Sequence, residues 1–195
     1  MIKSKLDYKR YLQRDALALF KIGIKRPRMF TDHVWRFERL MRKLEYYKTF
    51  GRFKRLLMFP VILFNRYRYN RMGMMLGLSV PLGVFDEGLS IVHYGCLVVS
   101  SFSKIGKNCR IHEGVTIGAT NGSEKAPQIG DNVFIGTGAK IIGDITIADN
   151  VAIGANSVVV KSITEEGTTW AGIPAKKISD NDSRSNLSKY LFMES

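Results

Sequence analysis

Cysteine is nearly absent from the 195 residues: Cys96 and Cys109 are the only two. Two are too few for a disulfide framework and lack metal-ligand spacing, so each is expected to be a reduced, buried, small apolar side chain. Long apolar runs are missing as well. The longest, "LLMFPVILF" from Leu56 to Phe64, has nine residues with Pro60 at its centre, whereas a membrane-spanning helix needs about 18–20. The N-terminus has no uninterrupted apolar stretch followed by small residues, so no secretory signal is read and a cytoplasmic location is expected. Acidic residues are scarce in the first part of the chain. Residues 1–80 hold 20 Lys and Arg against 5 Asp and Glu, residues 81–195 hold 10 against 12, and the net charge is +13. Such a cationic segment implies an anionic partner: nucleic acid, an anionic membrane face or a phosphorylated substrate.

What is present divides into two kinds of pattern. Residues 1–75 read as a basic helical domain. In "DHVWRFERLMRKLEYYK", Val34, Phe37, Leu40, Met41, Leu44 and Tyr47 recur at three and four, with Arg36, Arg39, Arg42 and Lys43 on other faces. Thr31 or Asp32 is the expected cap. Pro60 splits the following stretch into two short helices or a helix and a turn.

From residue 76 onward the helical spacing stops and an aliphatic residue returns every sixth position. Counting in sixes through Ile129 gives Ile105, Ile111, Ile117, Ile135, Ile141, Ile147, Ile153 and Val159, with Ser123 the one exception. A helix repeats at three to four and a half-buried strand at two, so six fits neither alone. In hexads such as IGDNVF and IADNVA, positions one and five face a common interior. The Gly, Asp and Asn between them supply turns. A unit of one short strand and one turn cannot bury its aliphatic face alone, so successive units stack as a parallel β-solenoid. The hexad at Ser123 is expected to be extruded as a loop within "GATNGSEKAPQ".

These hexads, closing with "TTWAGIPAKKIS" and joined to "GLSIVHYGCLVV", resemble the hexapeptide-repeat acyltransferases, in particular their serine acetyltransferase-like branch. The resemblance implies an α+β fold: the helical N-terminal domain (1–75), a left-handed parallel β-helix (76–179) and a polar C-terminal tail (180–195). It also implies a homotrimer or dimer of trimers, with acetyl-CoA as donor co-substrate in clefts between coils and no metal.

Acetyl transfer from a thioester to a hydroxyl needs a base and oxyanion donors. Histidine suits the base role, which is typically worth about 10²–10⁴-fold. The chain has His33, His93 and His112. His33 lies in the helical segment, where packing or solvation is the expected role. His93 in "IVHYGCLVV" matches the stretch that carries the family's catalytic histidine; Leu89 and Ile91 show a slipped phase there, which turns His93 outward into a cleft. His112, at position two of its hexad, is the second catalytic assignment, in substrate binding or proton relay, with an exposed turn residue as the alternative.

The resemblance assigns cofactor binding to Thr137, Ala155, Lys161 and Lys176, with Lys177 an added cation. It assigns acceptor contacts to Asn121 and Lys125 in the loop. Trp170 either covers the pantetheine arm or caps the last coil. Three departures bear on the acceptor. Val92 stands where the family has an Asp before the histidine, Ala126 where it has a second histidine, and the chain ends "LFMES" without the C-terminal Ile of cysteine-forming members. Asp86, Glu87 or Glu113 could orient the base instead.

The expected function is therefore acetyl-CoA-dependent O-acetylation, preferably of a sugar hydroxyl of a surface polysaccharide or its precursor, at the inner face of the membrane. Peripheral membrane contact through residues 1–75 accompanies that expectation, and nucleic acid is not the expected partner. Serine O-acetylation is the alternative. A non-catalytic solenoid that binds anionic membrane or nucleic acid is the alternative of a different class.

Overall fold

The computed structural model describes residues 1–193. Helix α1 spans Lys5–Ala18, α2 His33–Tyr47, α3 Arg52–Leu57 and α4 Phe59–Leu76. At the start of α1, Ser4 accepts from the Asp7 amide at 3.0 Å, which satisfies one amide that a helix start leaves free, while the Asp7 carboxylate accepts from the Lys3 amide just before the cap at 3.1 Å. The chain divides at Met58 into two helices, and Pro60 sits in the first turn of α4, where its missing N–H costs nothing. Asp32 stands at the cap of α2 but makes no side-chain cap. Its carboxylate instead takes the Lys21 ammonium at 2.6 Å and the Arg28 amide at 2.8 Å.

Beyond α4 the chain winds into a parallel β-helix. Its strands are β1 (Leu78–Ser79), β2 (Ser90–Ile91), β3 (Leu97–Val99), β4 (Lys104–Ile105), β5 (Arg110–Ile111), β6 (Thr116–Gly118) and β7 (Gln128–Ile129). Then follow β8 (Phe134–Ile135), β9 (Lys140–Ile142), β10 (Thr146–Ile147), β11 (Ala152–Ile153) and β12 (Val158–Val159). Three sheets form. One stacks β1, β3, β6, β9 and β12; the second β4, β7 and β10; the third begins β2, β5, β8, β11. The period of six thus marks one strand per sheet, and Ile91, Ile111, Ile135 and Ile153 pair in register up the third sheet. These side chains are buried, as are Ile117 and Ile141 on the first. At one corner Asn108, Asn132 and Asn150 all adopt positive φ, and their amide side chains form a ladder with steps of 2.8 and 3.1 Å. In the coil above, Gly88 (φ +82°) faces the same corner, where a Cβ would come within 2.4 Å of Asn108 Oδ1.

Two breaks in the period place the functional elements. Ile105 and Ile147 both pair with Ile129, so the coil from 105 to 129 holds one extra hexad, extruded at residues 119–127. In the first coil eight residues separate the inward Ile91 from Val99, where six separate Ile111 from Ile117. The two additional residues widen the corner that carries His93.

A solenoid's first coil has no preceding coil to accept its N–H groups, and a bare edge is costly or sticky. The helices close this one. Glu45 accepts from the Gly83 amide at 2.8 Å, Asp15 from Gly88 and Leu89 at 2.9 and 3.0 Å, and Glu38 from Ile91 at 2.8 Å. Arg42, expected on a face away from the apolar stripe, is instead fully buried. Its guanidinium holds Asp15 at 2.8 Å and Glu45 at 3.1 Å, and donates to the Phe85 and Asp86 carbonyls. A planar fork can serve four acceptors at once, which is what makes its burial tolerable. Burial acts to lower its pKa, but Asp15 and Glu45 outweigh that and raise it.

The other end is closed by an antiparallel hairpin of β13 (Thr169–Gly172) and β14 (Ala175–Ser179). Trp170 pairs with Ile153 and packs on the core, with its indole N–H on Thr168 at 2.9 Å; it caps the last coil. The tail then runs back along the solenoid, with Leu187 and Leu191 buried. Ser188 donates to the Leu17 carbonyl at 2.7 Å, and Arg14 to the Leu191 carbonyl at 3.0 Å. Glu194 and Ser195, the end of "LFMES", lie outside the described residues. One apolar core runs from Phe37 of α2 to Ile163. Among the described residues no helix is long and apolar enough to cross a membrane.

Candidate active site

The widened corner of the first coil leaves His93 exposed, as the slipped phase predicts. Gly95 at that corner (φ +145°) lies so close to the coil below that a Cβ would meet Glu113 Cβ at 2.9 Å. That close approach brings the first two coils together at their side chains. The ring of His112 stands 6.0 Å from that of His93, tilted 66°, and 5.3 Å from Phe134 on its other side.

Glu113 is the carboxylate at this corner. Its Oε2 lies 3.8 Å from His112 Nδ1 and is buried without a hydrogen-bond partner, while its Oε1 accepts from the Thr137 hydroxyl at 2.6 Å. The bond from Thr137 holds the Glu113 carboxyl below its ordinary value. Burial lowers the pKa of His112, the Arg110 charge adds to that, and Glu113 opposes both; the balance favours the neutral imidazole. The other two carboxylates considered for orienting the base are engaged elsewhere: Asp86 with the Tyr11 hydroxyl, Glu87 with Arg10 at 2.6 Å. Donor atoms of His93, His112 and Glu113 lie within 4.8 Å of one another, the one cluster of three or more His, Cys, Asp or Glu side chains that close among the described residues.

The remaining assignments fall into separate places. Thr137 and Ala155 stack at the same corner as Glu113, one coil apart, with the Asn156 amide on the Thr137 carbonyl at 2.7 Å. Lys176 is exposed on β14 opposite Ala171. Lys161 follows β12 at a different corner, shared with the extruded loop. Within one chain the loop residues Asn121 and Lys125 are therefore not brought to His93. Asn121 is exposed with φ +53°, and Lys125 pairs with Asp144 at 3.1 Å. Lys177 is taken up by Glu165 and Asp180.

One expectation is corrected. Cys96, expected to be buried like Cys109, is exposed, because it lies in the widened corner rather than in the ladder. His33 is exposed, in keeping with a solvated role, and it also lines a cleft of about 310 Å³ together with His93, Tyr94 and Arg110. Arg110 was not among the expected site residues; the signal available for it is its hexad position, since it precedes the inward Ile111 and so faces outward from the third sheet.

The comparisons with known proteins fit this geometry. The model of the bacterial transferase hexapeptide (six repeats) matches residues 126–161. A serine acetyltransferase of Staphylococcus xylosus is 44% identical over 112 residues, covering 55% of this chain and 51% of that protein. The crystal structure of serine acetyltransferase from Brucella abortus strain S19 superposes with a TM-score of 0.69 at 26% identity, covering 92% of this chain and 72% of that one. The chain therefore resembles the serine acetyltransferases among hexapeptide-repeat acyltransferases, in sequence over half its length and in fold over most of it. The same Brucella enzyme in complex with coenzyme A gives a TM-score of 0.68 at 27% identity, over 91% and 70% of the two chains. The α+β fold with a left-handed parallel β-helix holds for this chain. It spans about half the length of the curated relatives it matches.

Proposed function

We propose that the chain transfers an acetyl group from acetyl-CoA to a hydroxyl, with His93 as the base. The hydroxyl proton passes to the imidazole as the oxygen attacks the thioester carbonyl. The tetrahedral oxyanion collapses, the C–S bond breaks, and the departing CoA sulfur takes the proton from the imidazolium. The observation that carries this reading is the exposed His93 beside His112 and Glu113, at the same corner as the Thr137 and Ala155 turns. Glu113 replaces the Asp absent at Val92 as the carboxylate that orients the histidine pair. Small turn residues at 137 and 155 let backbone amides approach the pantetheine arm, and Lys161 and Lys176 serve its phosphates.

L-Serine is the acceptor that similarity to serine acetyltransferases favours, and the sugar preference has no support from those relatives. A sugar hydroxyl is kept as the second reading on one observation: Val92 and Ala126 lack the charged side chains expected there, and Asp32, the carboxylate lining the His93 cleft, is committed to Lys21. Assembly as a trimer is supported by the separation of the His93 corner from Lys161, Asn121 and Lys125, which a neighbouring chain would bring together. Peripheral contact with an anionic membrane surface is supported by α3 and α4. They expose Phe53, Leu57, Phe59, Leu63, Phe64 and Tyr67 among basic residues, and no Asp or Glu occurs between Glu45 and Asp86.

The experiment that tests the function is thiol release from acetyl-CoA by the purified protein, with L-serine and with a panel of nucleotide sugars and glycan oligosaccharides. Release with L-serine supports the first reading and release only with a glycan the second. No release with any acceptor contradicts both.

A further inference from the structure

The wall of the cleft beside His93 holds donors that acetyl transfer alone does not use. Arg110 lines it, half-buried, with its guanidinium 5.3 Å from the centre of the Phe20 ring. Burial lowers the Arg110 pKa, and among the described residues no carboxylate compensates it. The first turn of α2, at His33, Val34 and Trp35, lines the same cleft. Its amides lack a side-chain cap because Asp32 turns away to Lys21 and the Arg28 amide. Trp35 and a further lining residue, Ser90, are each 2% exposed, and the Trp35 indole N–H and the Ser90 hydroxyl have no hydrogen-bond partner among the described residues. Buried polar atoms are seldom left unpaired, and each such vacancy costs about 1–3 kcal/mol. A helix start and an uncompensated guanidinium both favour an anion.

We propose that this wall is an oxyanion subsite in which Arg110, assisted by the first turn of α2, binds a carboxylate on the acceptor and leaves the acceptor hydroxyl at His93. The proposal rests on the acetyl-transfer reading for what the bound molecule undergoes, but not for the binding itself. A planar carboxylate matches the guanidinium fork, and its second oxygen remains free for the helix amides. The carboxylate has two sources, a free hydroxy amino acid such as serine or an acidic sugar, and both present a hydroxyl on the same molecule. On this wall the carboxylate of the acceptor is held by Arg110 of β5 and the first turn of α2, and Lys125 and Ala126 of the loop are not required for it.

The test compares the protein with its Arg110→Ala and Arg110→Lys variants in two assays, with coenzyme A binding as the control for folding. In kinetics, L-serine is set against L-serinamide, and a glucuronic acid oligosaccharide against its neutral glucose counterpart. Arg110→Ala is expected to raise KM for the acid of whichever pair is acetylated by about 10–100-fold, far more than for its uncharged counterpart, with little change in kcat. Arg110→Lys should recover part of the loss. In binding, L-serine and sodium glucuronate are titrated against the His93 ring proton signals. Arg110-dependent binding without turnover would uphold the subsite and remove the acetyl-transfer reading. Equal effects of Arg110→Ala on acid and uncharged acceptor, or binding of neither acid in an Arg110-dependent way, would overturn the subsite.

Discussion

His112 Nδ1 lies 3.8 Å from Oε2 of Glu113, and the ring of His93 stands 6.0 Å from that of His112. One carboxylate therefore sits behind a pair of histidines drawn from successive coils. It is itself fixed by the Thr137 hydroxyl of the coil below.

Glu113→Gln keeps the bond from Thr137 and removes the charge. Burial and Arg110 lower the pKa of His112 and Glu113 opposes them, so the substitution lets it fall further. NMR titration of the His112 ring is expected to show a lower midpoint in the variant, and kcat/KM should fall about tenfold. A higher or unmoved midpoint would show that the carboxylate does not act on His112.

Glu38 is buried and accepts one amide through Oε1, while its Oε2 has no partner. Burial first, and then the charge of Asp15, push its carboxyl well above the ordinary value. A carboxyl raised by folding holds a proton that the unfolded chain releases once pH exceeds the ordinary carboxylate range. The stability this costs is absent at lower pH and grows as pH rises towards the folded pKa. Glu38→Gln removes the cost, so melting at pH 7 should rise by about 2–4 °C for about 1 kcal/mol, and the gain should vanish near pH 4. A gain of equal size at both pH values would refute the buried-proton account.

The basic, aromatic surface of α3 and α4 predicts co-sedimentation with vesicles rich in anionic phospholipid at low salt and release at high salt. Replacing Arg66, Arg68 and Arg71 together by Ala should weaken binding by about 1 kcal/mol per cation lost near the surface. Equal binding to neutral vesicles, or none to either kind, would remove the membrane from the account.

The β-helix was legible because its stabilising interaction is periodic. A ladder of Ile needs one aliphatic residue per hexad, and each departure from six has a structural counterpart, the loop at Ser123 and the widened corner at His93. The helical domain was only half legible. Helix spacing separated an apolar face from a charged one, yet Glu38, Arg42 and Glu45 recur at four and three on the buried side. Their burial follows from amides of the first coil that no coil precedes, and that need is invisible until the two parts are docked. The same docking puts His33 and the first turn of α2 beside His93. Cys96 and Glu113 owe their places to the corner's width, which the phase slip signalled without fixing which side chains it would bring together.

The most direct test of His93 as base is the initial rate of thiol release from acetyl-CoA, with a saturating acceptor, for His93→Ala against the unaltered protein, alongside coenzyme A affinity for both. The account predicts a rate lower by about 10²–10⁴-fold with affinity for coenzyme A retained. An unchanged rate in the variant would contradict it.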